Sequence, residues 1–502
     1  MLAFPTKIAT SKRNTYLYPY ICMVYSKKGI FWFILIAYSL LRVLFLPVEF
    51  TGDSYGYLCE VLKDDLWNSH HLLHKSFLKE ILLLGSPYAL WQDPMIYLSV
   101  INVIIGLASL LVLMNILEYR KWPYTRIYLA LLLVGGSFVF LKYSHENETY
   151  ILPVLLSLIG SRQFERGKII QSALWLGLAT LFHQIHIFWL LGLLFPYKEF
   201  KIPKSYAPLL IALFIPIGVY LGLALYLDLT LTNLLFHDAT QGLVQLTPDL
   251  NNLKFTGINL IRIWIFGHGD LSLFWNFWNP YLSGFALLTI SFGLIGLLVF
   301  LRESDWKFAR MNWIQSYIVV GLLQLAFAFY SVGNIEFMVM IPFIVILSMK
   351  SAKWLDNTLM LGMTLFIWNT SQFILPMSKT QPNRLNDKIT LLKRFSNNQA
   401  VTPIWTSESA LLANYNEYYS NKMGDSTHFS FHQLPDSLPN SGLVLIEENG
   451  RLNRAQMMFD GNALQAKANW KRLYRDTGIT GTLTLYAIPQ FTNSSEKHRE
   501  SY

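Results

Sequence analysis

The chain has 502 residues, of which 53% are hydrophobic, 15% aromatic and 14% charged, and its mean hydropathy is +0.35. Soluble globular proteins carry about 25% charged residues, so this composition excludes a protein whose main neighbour is water. The formal net charge of +9 is divided among short segments between apolar runs, which excludes a nucleic-acid-binding surface as its cause.

Apolar runs that approach the ~20 residues needed to cross a bilayer recur along the chain and predict a mostly α polytopic bundle. We count about eleven transmembrane helices over residues 30–376. In chain order the predicted spans are 30–48, 95–117, 126–142, 150–160, a split pair within 169–196, 206–227, 281–301, 313–330, 335–349 and 354–376.

The distribution of basic residues predicts the orientation. Residues 1–29 contain five lysines and arginines and no acid, and further basic clusters lie in short segments between apolar runs. Cytoplasmic loops carry such an excess, so residues 1–29 form a cytoplasmic N-terminus. An odd number of spans then places the C-terminus outside. We expect a bacterial inner membrane rather than the endoplasmic reticulum, since no retention signal is visible.

Two long loops, residues 49–94 and 228–280, are predicted to lie outside the membrane, and the first should contain interfacial helices such as the amphipathic stretch 77–84. Residues 377–491 have the composition of a soluble domain, predicted to be a small α/β domain. Its expected elements are helices over 407–419 and 454–475 and strands over 443–446 and 483–488. A disordered tail, 492–502, should follow.

The run 169–196 is too long for one span and is interrupted by His183, Gln184 and His186. As a single helix it would put the basic segment 198–204 outside, against the positive-inside bias. A break at His183–His186 returns that segment to the cytoplasm. Because polar helix breaks are tolerated only where they line a cavity or are buried in protein, the sequence predicts a hollow on the outer side.

Ionisable side chains gather at the predicted outer ends of the spans, which favours a reaction site at that face over a transport path. For Asp53, a catalytic carboxylate competes with a helix cap. Glu146 and Glu148 are either functional or solvated loop residues. His183 and His186 either bind a lipid phosphate or are buried where the helix breaks.

These features resemble the GT-C superfamily of membrane glycosyltransferases, in particular its polyprenyl-phosphate-dependent mannosyltransferase branches, such as the dolichyl-phosphate-mannose-protein mannosyltransferases. Asp53 follows the first span, and the acidic segment 145–148 leads into a short fourth span. Segment 177–183 is similar to the family pattern GLAxLxK/H. Segment 333–338 with Pro342 is similar to KExRFxxPxxP.

The resemblance implies transfer of a sugar from a polyprenyl-phosphate donor to an extracytoplasmic glycan, lipid or protein acceptor. Asp53 is then the base, or the ligand of a divalent metal ion (Mg²⁺ or Mn²⁺) if the branch uses one. Glu146 and Glu148 are the other candidate catalytic residues. The substrate-binding candidates are Lys142, His145, His183, His186, Arg262 and Glu336. Membrane lipids are the remaining expected partners, and nucleic acid is not one.

Three other functions remain open at this stage. A polysaccharide polymerase or ligase would use arginine and histidine of later outer loops, such as Arg262, His268 and His237. A transporter is disfavoured by the scarcity of polar residues in mid-span and by the lack of repeats. A non-catalytic membrane scaffold would need only a partner for its C-terminal domain.

Overall fold

The computed structural model describes residues 38–48, 50–66, 71–85, 93–194, 206–226, 249–266, parts of 289–298, 312–331, 333–349, 358–378, 385–395, 403–406, 409–423, 429–433, 443–448, 471–478 and 481–487. The chain divides into two compact units, Met1–Phe45 and Leu46–Tyr502. In the first unit, residues 38–44 are helical. All features discussed below belong to the second unit.

The second unit is mainly helical up to residue 377. Its α-helices in this part are α1 (Gly52–Leu62), α2 (His74–Gly85), α3 (Pro94–Tyr119), α4 (Tyr124–Gly136), α5 (Phe138–Tyr143), α6 (Ile151–Glu165), α7 (Ile169–Phe182), α8 (Ile187–Leu194), α9 (Ala207–Tyr226), α10 (Leu250–Arg262), α11 (Asn312–Tyr330), α12 (Ile341–Leu347) and α13 (Leu359–Asn369). A 3₁₀ turn, Ile335–Met338, precedes α12, and a π turn, Thr370–Ile374, leads from α13 into the short helix Leu375–Met377.

Two helices in the described part of the chain, α3 and α9, are long and apolar enough to cross a membrane. They confirm the helices predicted over 95–117 and 206–227. Shorter apolar helices occupy Tyr124–Gly136, Ile169–Phe182, Gln184–Leu194, Ile314–Tyr330 and Ile335–Leu347. The predicted spans 30–48 and 281–301 lie largely outside the described residues. The number of spans therefore stays a prediction.

The prediction of one helix over 126–142 is wrong. The chain breaks at Ser137, whose ψ of 142° is extended, and continues as α5. The backbone N–H groups of Phe138 and Val139, which a continuous helix would satisfy, donate instead to the carbonyl oxygens of Trp264 and Ile263. A break in apolar surroundings is tolerated because neighbouring backbone replaces the lost helical hydrogen bonds.

The predicted helix break at His183 is confirmed. Helix α7 ends at Phe182, His183 takes an extended conformation (φ −152°, ψ 117°), and a 3₁₀ turn over Gln184–His186 leads into α8. The freed carbonyl of Ile185 accepts a hydrogen bond from the side chain of Gln324 on α11 at 3.0 Å.

The C-terminal region contains α14 (Leu385–Phe395), α15 (Ser409–Met423) and five described strands: β1 (Pro403–Thr406), β2 (Ser430–Gln433), β3 (Leu443–Glu448), β4 (Lys471–Gly478) and β5 (Gly481–Ala487). The strands form one sheet of order β2-β1-β3-β5-β4. Strand β1 pairs parallel with β2 and β3, whereas β5 pairs antiparallel with β3 and β4. The pairing registers include Ile404 with Leu443 and Leu445 with Leu485.

The predicted helix and strands at 407–419, 443–446 and 483–488 agree with α15, β3 and β5. The helix predicted over 454–475 is wrong from Lys471 onward, where the chain is strand β4. The apolar pair Leu473 and Tyr474 lies between two pairs of charged residues, and such a pattern resembles a helical one over a short window. Residues 451–470 and the predicted disordered tail lie outside the described residues.

One hydrophobic core joins the C-terminal region to the predicted first outer loop. Its buried residues include Tyr55 and Leu58 of α1, Leu78 of α2, Leu412 of α15 and Leu485 of β5. The helices predicted to lie along the membrane interface exist, but α1 and part of α2 are buried against the C-terminal region. This shared core places α1 and the C-terminal region on the same side of any membrane.

Candidate functional site

Asp53 lies in the first turn of α1, and its side chain is exposed. Thr51 is the N-cap of this helix, because its side-chain oxygen accepts a hydrogen bond from the backbone N–H of Ser54 at 3.2 Å. The interpretation of Asp53 as the cap is therefore wrong. Its carboxylate is placed at the positive end of the α1 dipole.

The acidic segment between α5 and α6 is buried, which excludes the interpretation of Glu146 and Glu148 as solvated loop residues. Both carboxylates turn towards the start of α1. The Thr51 hydroxyl donates to Glu148 Oε1 at 2.6 Å. Glu146 Oε2 accepts from the Thr51 backbone N–H at 3.1 Å and from the Ser54 hydroxyl at 3.2 Å. The two carboxylates are thus fixed beside Asp53 by its immediate neighbours.

The backbone of the acidic segment is held from α3. The Ser99 hydroxyl donates to the carbonyl of His145, and the Asn102 side chain donates to the carbonyl of Glu146, both at 2.7 Å. Asn147 donates its side-chain N–H to the carbonyl of Ser54 at 3.3 Å. These contacts satisfy the carbonyl groups of His145 and Glu146 and so help to make a buried loop without regular structure energetically acceptable.

Burial controls the ionisation of the two glutamates. Loss of hydration raises the pKa of Glu146, although the nearby Lys142 ammonium acts against the shift. The pKa of Glu148 lies well above its usual range, first because of burial and second because of the negative charge of Glu336. Carboxyl groups whose pKa is raised by burial are frequent among catalytic acids and bases.

Tyr143 lies at the centre of these charges. Burial raises its pKa well above the usual range, and the negative charges of Glu336, Glu148, Glu146 and Asp53 act in the same direction. The Lys142 ammonium donates to the Tyr143 hydroxyl at 3.2 Å and lies 4.6 Å from the centre of its ring. The charges of four sequence-predicted acids therefore act on one buried phenol, which also accepts a hydrogen bond from Lys142.

Glu336 is brought to the cluster by the turn before α12. Its Oε2 accepts hydrogen bonds from the Tyr150 hydroxyl at 3.0 Å and from the Asn334 side chain at 3.2 Å. The preceding Gly333 has a φ of +71° and accepts a hydrogen bond from the Asn259 side chain of α10 through its carbonyl. Helix α10 and the Glu336 turn are therefore packed together.

His183, at the helix break, adjoins the same cluster. Its ring centre lies 5.1 Å from that of Tyr150, whose hydroxyl bonds Glu336, and 4.5 Å from that of His71. The histidine is buried, as its position at a break in apolar surroundings predicts. It thus connects the carboxylates with the end of α7.

An apolar groove of about 480 Å³ lies between α7 and α9. Its lining residues on α7 run from Ile170 to Leu181, and those on α9 from Pro208 to Ile215. Since Leu181 precedes the helix break by two residues, the groove leads along α7 towards His183. An apolar groove that ends at a polar cluster is suited to a ligand with a long hydrocarbon chain and a charged head.

The other predicted site residues occupy different positions. His186 is buried, pairs with the Ser157 hydroxyl at 2.7 Å and stacks on Trp189, which points to a structural role. His145 Nδ1 lies 3.1 Å from the carbonyl of Leu141, one helical turn earlier. Arg262 donates a hydrogen bond to Asn259, and its charge interacts with those of Lys142 and Tyr143. His237 and His268 lie outside the described residues.

A metal ion has no evident set of ligands here. Within the described ranges, no group of three or more histidine, cysteine, aspartate and glutamate side chains is arranged to hold one. Glu146 and Glu148 already accept hydrogen bonds from Thr51 and Ser54. Metal binding by Asp53 stays a prediction from the family resemblance.

Sequence reasoning missed the residues that organise the site. Thr51 and Ser54 fix the two glutamates, Tyr150 links Glu336 with His183, and His71 contacts His183. Thr51 could have been found, since threonine two residues before an acid at a helix start is a typical N-cap signal. Contacts across the fold, such as those of Tyr150, have no local signal.

No family model and no curated protein matches the chain. Among solved structures, it is similar to the crystal structure of ArnT from Cupriavidus metallidurans bound to undecaprenyl phosphate, with 10% identity, a TM-score of 0.43 and coverage of 91% of this chain and 97% of that one. The apo crystal structure of the same ArnT gives 10% identity, a TM-score of 0.41 and coverage of 92% and 98%. At this level of similarity, the function has to be argued from the residues of the site.

Proposed function

We propose that this chain is a membrane glycosyltransferase that moves a sugar from a polyprenyl-phosphate donor to a hydroxyl of an extracytoplasmic acceptor. The observation that carries the proposal is the burial of Glu146 and Glu148, which are hydrogen-bonded to the first turn of α1 that also holds Asp53. An apolar groove that leads along α7 towards His183 lies near this group of ionisable residues, and such a combination suits chemistry on the charged head of a lipid.

Asp53 is the candidate base. It is exposed, does not cap its helix and shares the first turn of α1 with the residues that fix Glu146 and Glu148. In the proposed step, the acceptor oxygen bonds the anomeric carbon of the sugar while the bond from that carbon to the phosphate oxygen breaks. The electron pair leaves with the phosphate, and the acceptor proton passes to the Asp53 carboxylate.

Lys142 and Arg262 supply the positive charge. The Lys142 ammonium is directed at Tyr143 in the middle of the carboxylates, and the Arg262 guanidinium is close enough for its charge to act on both residues. Negative charge grows on the phosphate as the sugar leaves, and fixed cations in surroundings that exclude water stabilise such charge strongly. His183, next to the groove, is the third candidate for this role.

The groove between α7 and α9 accounts for the lipid part of the donor. All of its lining residues are apolar: they are leucine, isoleucine and alanine, together with Gly177 and Pro208. The exposed side chains of α9 are also apolar, with Phe214 65% and Leu225 84% exposed. A polyprenyl chain could therefore enter the groove from the bilayer without crossing polar surface. The polymerase and scaffold functions have no specific observation in their favour.

The test is transfer of radiolabelled sugar from polyprenyl-phosphate donors by the full-length protein in lipid nanodiscs with a membrane fraction as acceptor. We expect the wild type to move label out of the donor and Asp53→Asn to lose on the order of 10²-fold or more in rate. Folding should be unchanged because Thr51 provides the cap.

Asp249→Asn is the matched control. Asp249 caps α10, and its carboxylate accepts hydrogen bonds from the backbone of Asn251 and Asn252. Asparagine is an equally good cap, so this variant should transfer at the wild-type rate. Wild-type activity in Asp53→Asn, or label that never leaves any polyprenyl-phosphate donor, would contradict the proposal.

A further inference from the structure

A short segment of the first predicted outer loop, His71 to Leu73, covers the end of α7 that leads to His183. The backbone N–H of Leu73 donates to the carbonyl of Leu181 at 3.3 Å. Leu72 is buried with Tyr220 and Ala224 of α9, and Leu181 packs against the same cluster. The segment therefore joins both helices that form the groove, close to its Leu181 end.

His71 itself lies against His183. The two ring centres are 4.5 Å apart with an angle of 65° between the ring planes. Tyr57 of α1 lies edge-on to His71 at 6.1 Å, and Tyr150 flanks His183 at 5.1 Å. The two imidazoles come from regions 112 residues apart in sequence and are enclosed by aromatic rings that link them to the carboxylate cluster.

A buried hydroxyl lies in the same place. The side chain of Tyr220 is 3% exposed and packs against Leu72 and Leu181. Within the described part of the chain, its hydroxyl has no hydrogen-bond partner. A buried hydroxyl without a partner destabilises the folded state unless a ligand or water satisfies it. This cost favours a polar ligand group at the Leu181 end of the groove.

We propose that His71 and His183 together bind the phosphate of a polyprenyl-phosphate lipid whose chain occupies the groove between α7 and α9. The inference rests on the proposed function and extends it by assigning the donor phosphate to a two-histidine site. Each imidazole offers an N–H group to the phosphate oxygens, and the Tyr220 hydroxyl offers a third donor near the first isoprene unit.

The chemistry favours an anion over a neutral head group. An imidazole becomes a stronger donor when it is protonated, and an oxyanion that accepts hydrogen bonds from two imidazoles stabilises their protonated forms. Without an anion, two charged imidazoles at this separation would repel each other. A tetrahedral phosphate also presents several oxygens, so one ligand can accept a hydrogen bond from each ring.

The proposal is tested by lipid binding to the full-length protein in nanodiscs. The probes are undecaprenyl phosphate, undecaprenol with the same chain and no phosphate, and inorganic phosphate. For His71→Ala we expect the affinity for undecaprenyl phosphate to fall about tenfold, since a charge-assisted hydrogen bond is lost. The affinity for undecaprenol should not change. Inorganic phosphate should bind weakly, because the groove remains empty.

Two further variants complete the experiment. His71→Lys keeps a cationic donor and should retain most of the affinity for undecaprenyl phosphate. His432→Ala, at an exposed histidine of β2, is the matched control and should bind both lipids like the wild type.

Equal affinity of wild type and His71→Ala for undecaprenyl phosphate would refute the His71 assignment while leaving the glycosyltransferase proposal intact. Equal loss for both lipids would show that His71 only shapes the groove and would also refute it. Failure of the wild type to bind undecaprenyl phosphate at all would instead contradict the proposed function.

Discussion

Two groups of charged residues in the described part of the chain differ in how completely their charges are paired. Arg120, at the end of α3, donates from Nε and Nη2 to the two oxygens of Glu165 at 2.9 and 2.6 Å. Its Nη1 donates to the carbonyls of Leu347 and Met349, and the Tyr317 hydroxyl donates to Glu165. This cluster ties together the ends of α3, α6 and α12 and the side of α11.

The cluster around Tyr143 is built differently. Its carboxylates, Glu146, Glu148 and Glu336, accept hydrogen bonds from hydroxyl, amide and backbone groups. Among the residues that the structure describes, Lys142 forms no salt bridge with them and donates to Tyr143 instead. A matched buried pair fits a structural role, whereas an unmatched group of buried charges is typical of a site that awaits a ligand.

The largest effect is expected from breaking the matched pair. Arg120→Met leaves the Glu165 carboxylate buried without its cation and should lower the free energy of unfolding by about 3–5 kcal/mol. Thermal unfolding in detergent measures this loss. The double variant Arg120→Met/Glu165→Met should recover most of it, because no charge is left unpaired. A single variant as stable as the wild type would mean that the pair is not needed for folding.

The cluster around Tyr143 should respond in the opposite way, because loss of one of its charges should reduce transfer activity rather than stability. Glu336→Gln keeps an oxygen for the Tyr150 hydroxyl and removes a negative charge that acts on Glu148. Stability should therefore be retained or increased, while sugar transfer falls about 10- to 100-fold through loss of a charged hydrogen-bonding group. The transfer rate and the unfolding temperature of Glu336→Gln are measured on one preparation and compared with those of the wild type. If Glu336→Gln loses stability but keeps full transfer activity, the role of Glu336 is structural.

A substitution at Gly333 tests whether the position of Glu336 depends on the packing of its turn against α10. A Cβ at Gly333 would collide with the backbone of Phe255 and Thr256, and its φ of +71° is unfavourable for any other residue. We expect Gly333→Ala to lower stability by about 1–3 kcal/mol and to reduce transfer. Gly167 has a φ of +74° with nothing within 4 Å of the added Cβ. Gly167→Ala is the matched control and should cost about 1 kcal/mol without affecting transfer.

The smallest expected effect is the pH dependence of stability that arises from Glu148. The folded-state pKa of Glu148 is raised above its unfolded value, so the folded protein binds this proton more tightly. Its contribution to stability is present below the unfolded pKa and is lost as the pH rises through the folded pKa. Glu148→Gln remains neutral throughout. Its unfolding temperature relative to the wild type should therefore rise with pH above about 4.5. A constant difference between pH 4 and pH 8 would contradict a raised pKa.

The parts of the fold that follow from local patterns could be predicted from the sequence. The helices α3, α9 and α11 follow from apolar length, and the break at His183 follows from polar residues within an apolar run and from the basic segment after it. The acidic segment was found because acids next to a span are rare. Its burial was not foreseen, since the hydrogen bonds from Ser99 and Asn102 depend on how α3 packs.

Other parts could not be predicted, for identifiable reasons. Helix α10 was missed because its polar side, with Asn252 and Thr256, is buried while Leu253 and Ile261 are exposed, the reverse of the usual pattern. The break at Ser137 depends on carbonyl groups of residues 263 and 264. Asp53 was recognised as a candidate, but the hydrogen bonds that bring Glu146 and Glu148 to its helix, from Thr51 and Ser54, join residues more than 90 positions apart and have no local signal.

The core shared by α1 and the C-terminal region also has a consequence for biosynthesis. The side chain of Asn414 donates to the carbonyl of Gly52, a contact between residues 362 positions apart. Ribosomes add about 5–20 residues per second, so α1 waits on the order of tens of seconds for its partner. During that interval Tyr55 and Leu58 lack the packing that later covers them. The core beneath α1 can therefore be completed only when β5, which contributes Leu485, has been made, and until then the nascent chain exposes an apolar surface that chaperones and proteases can recognise.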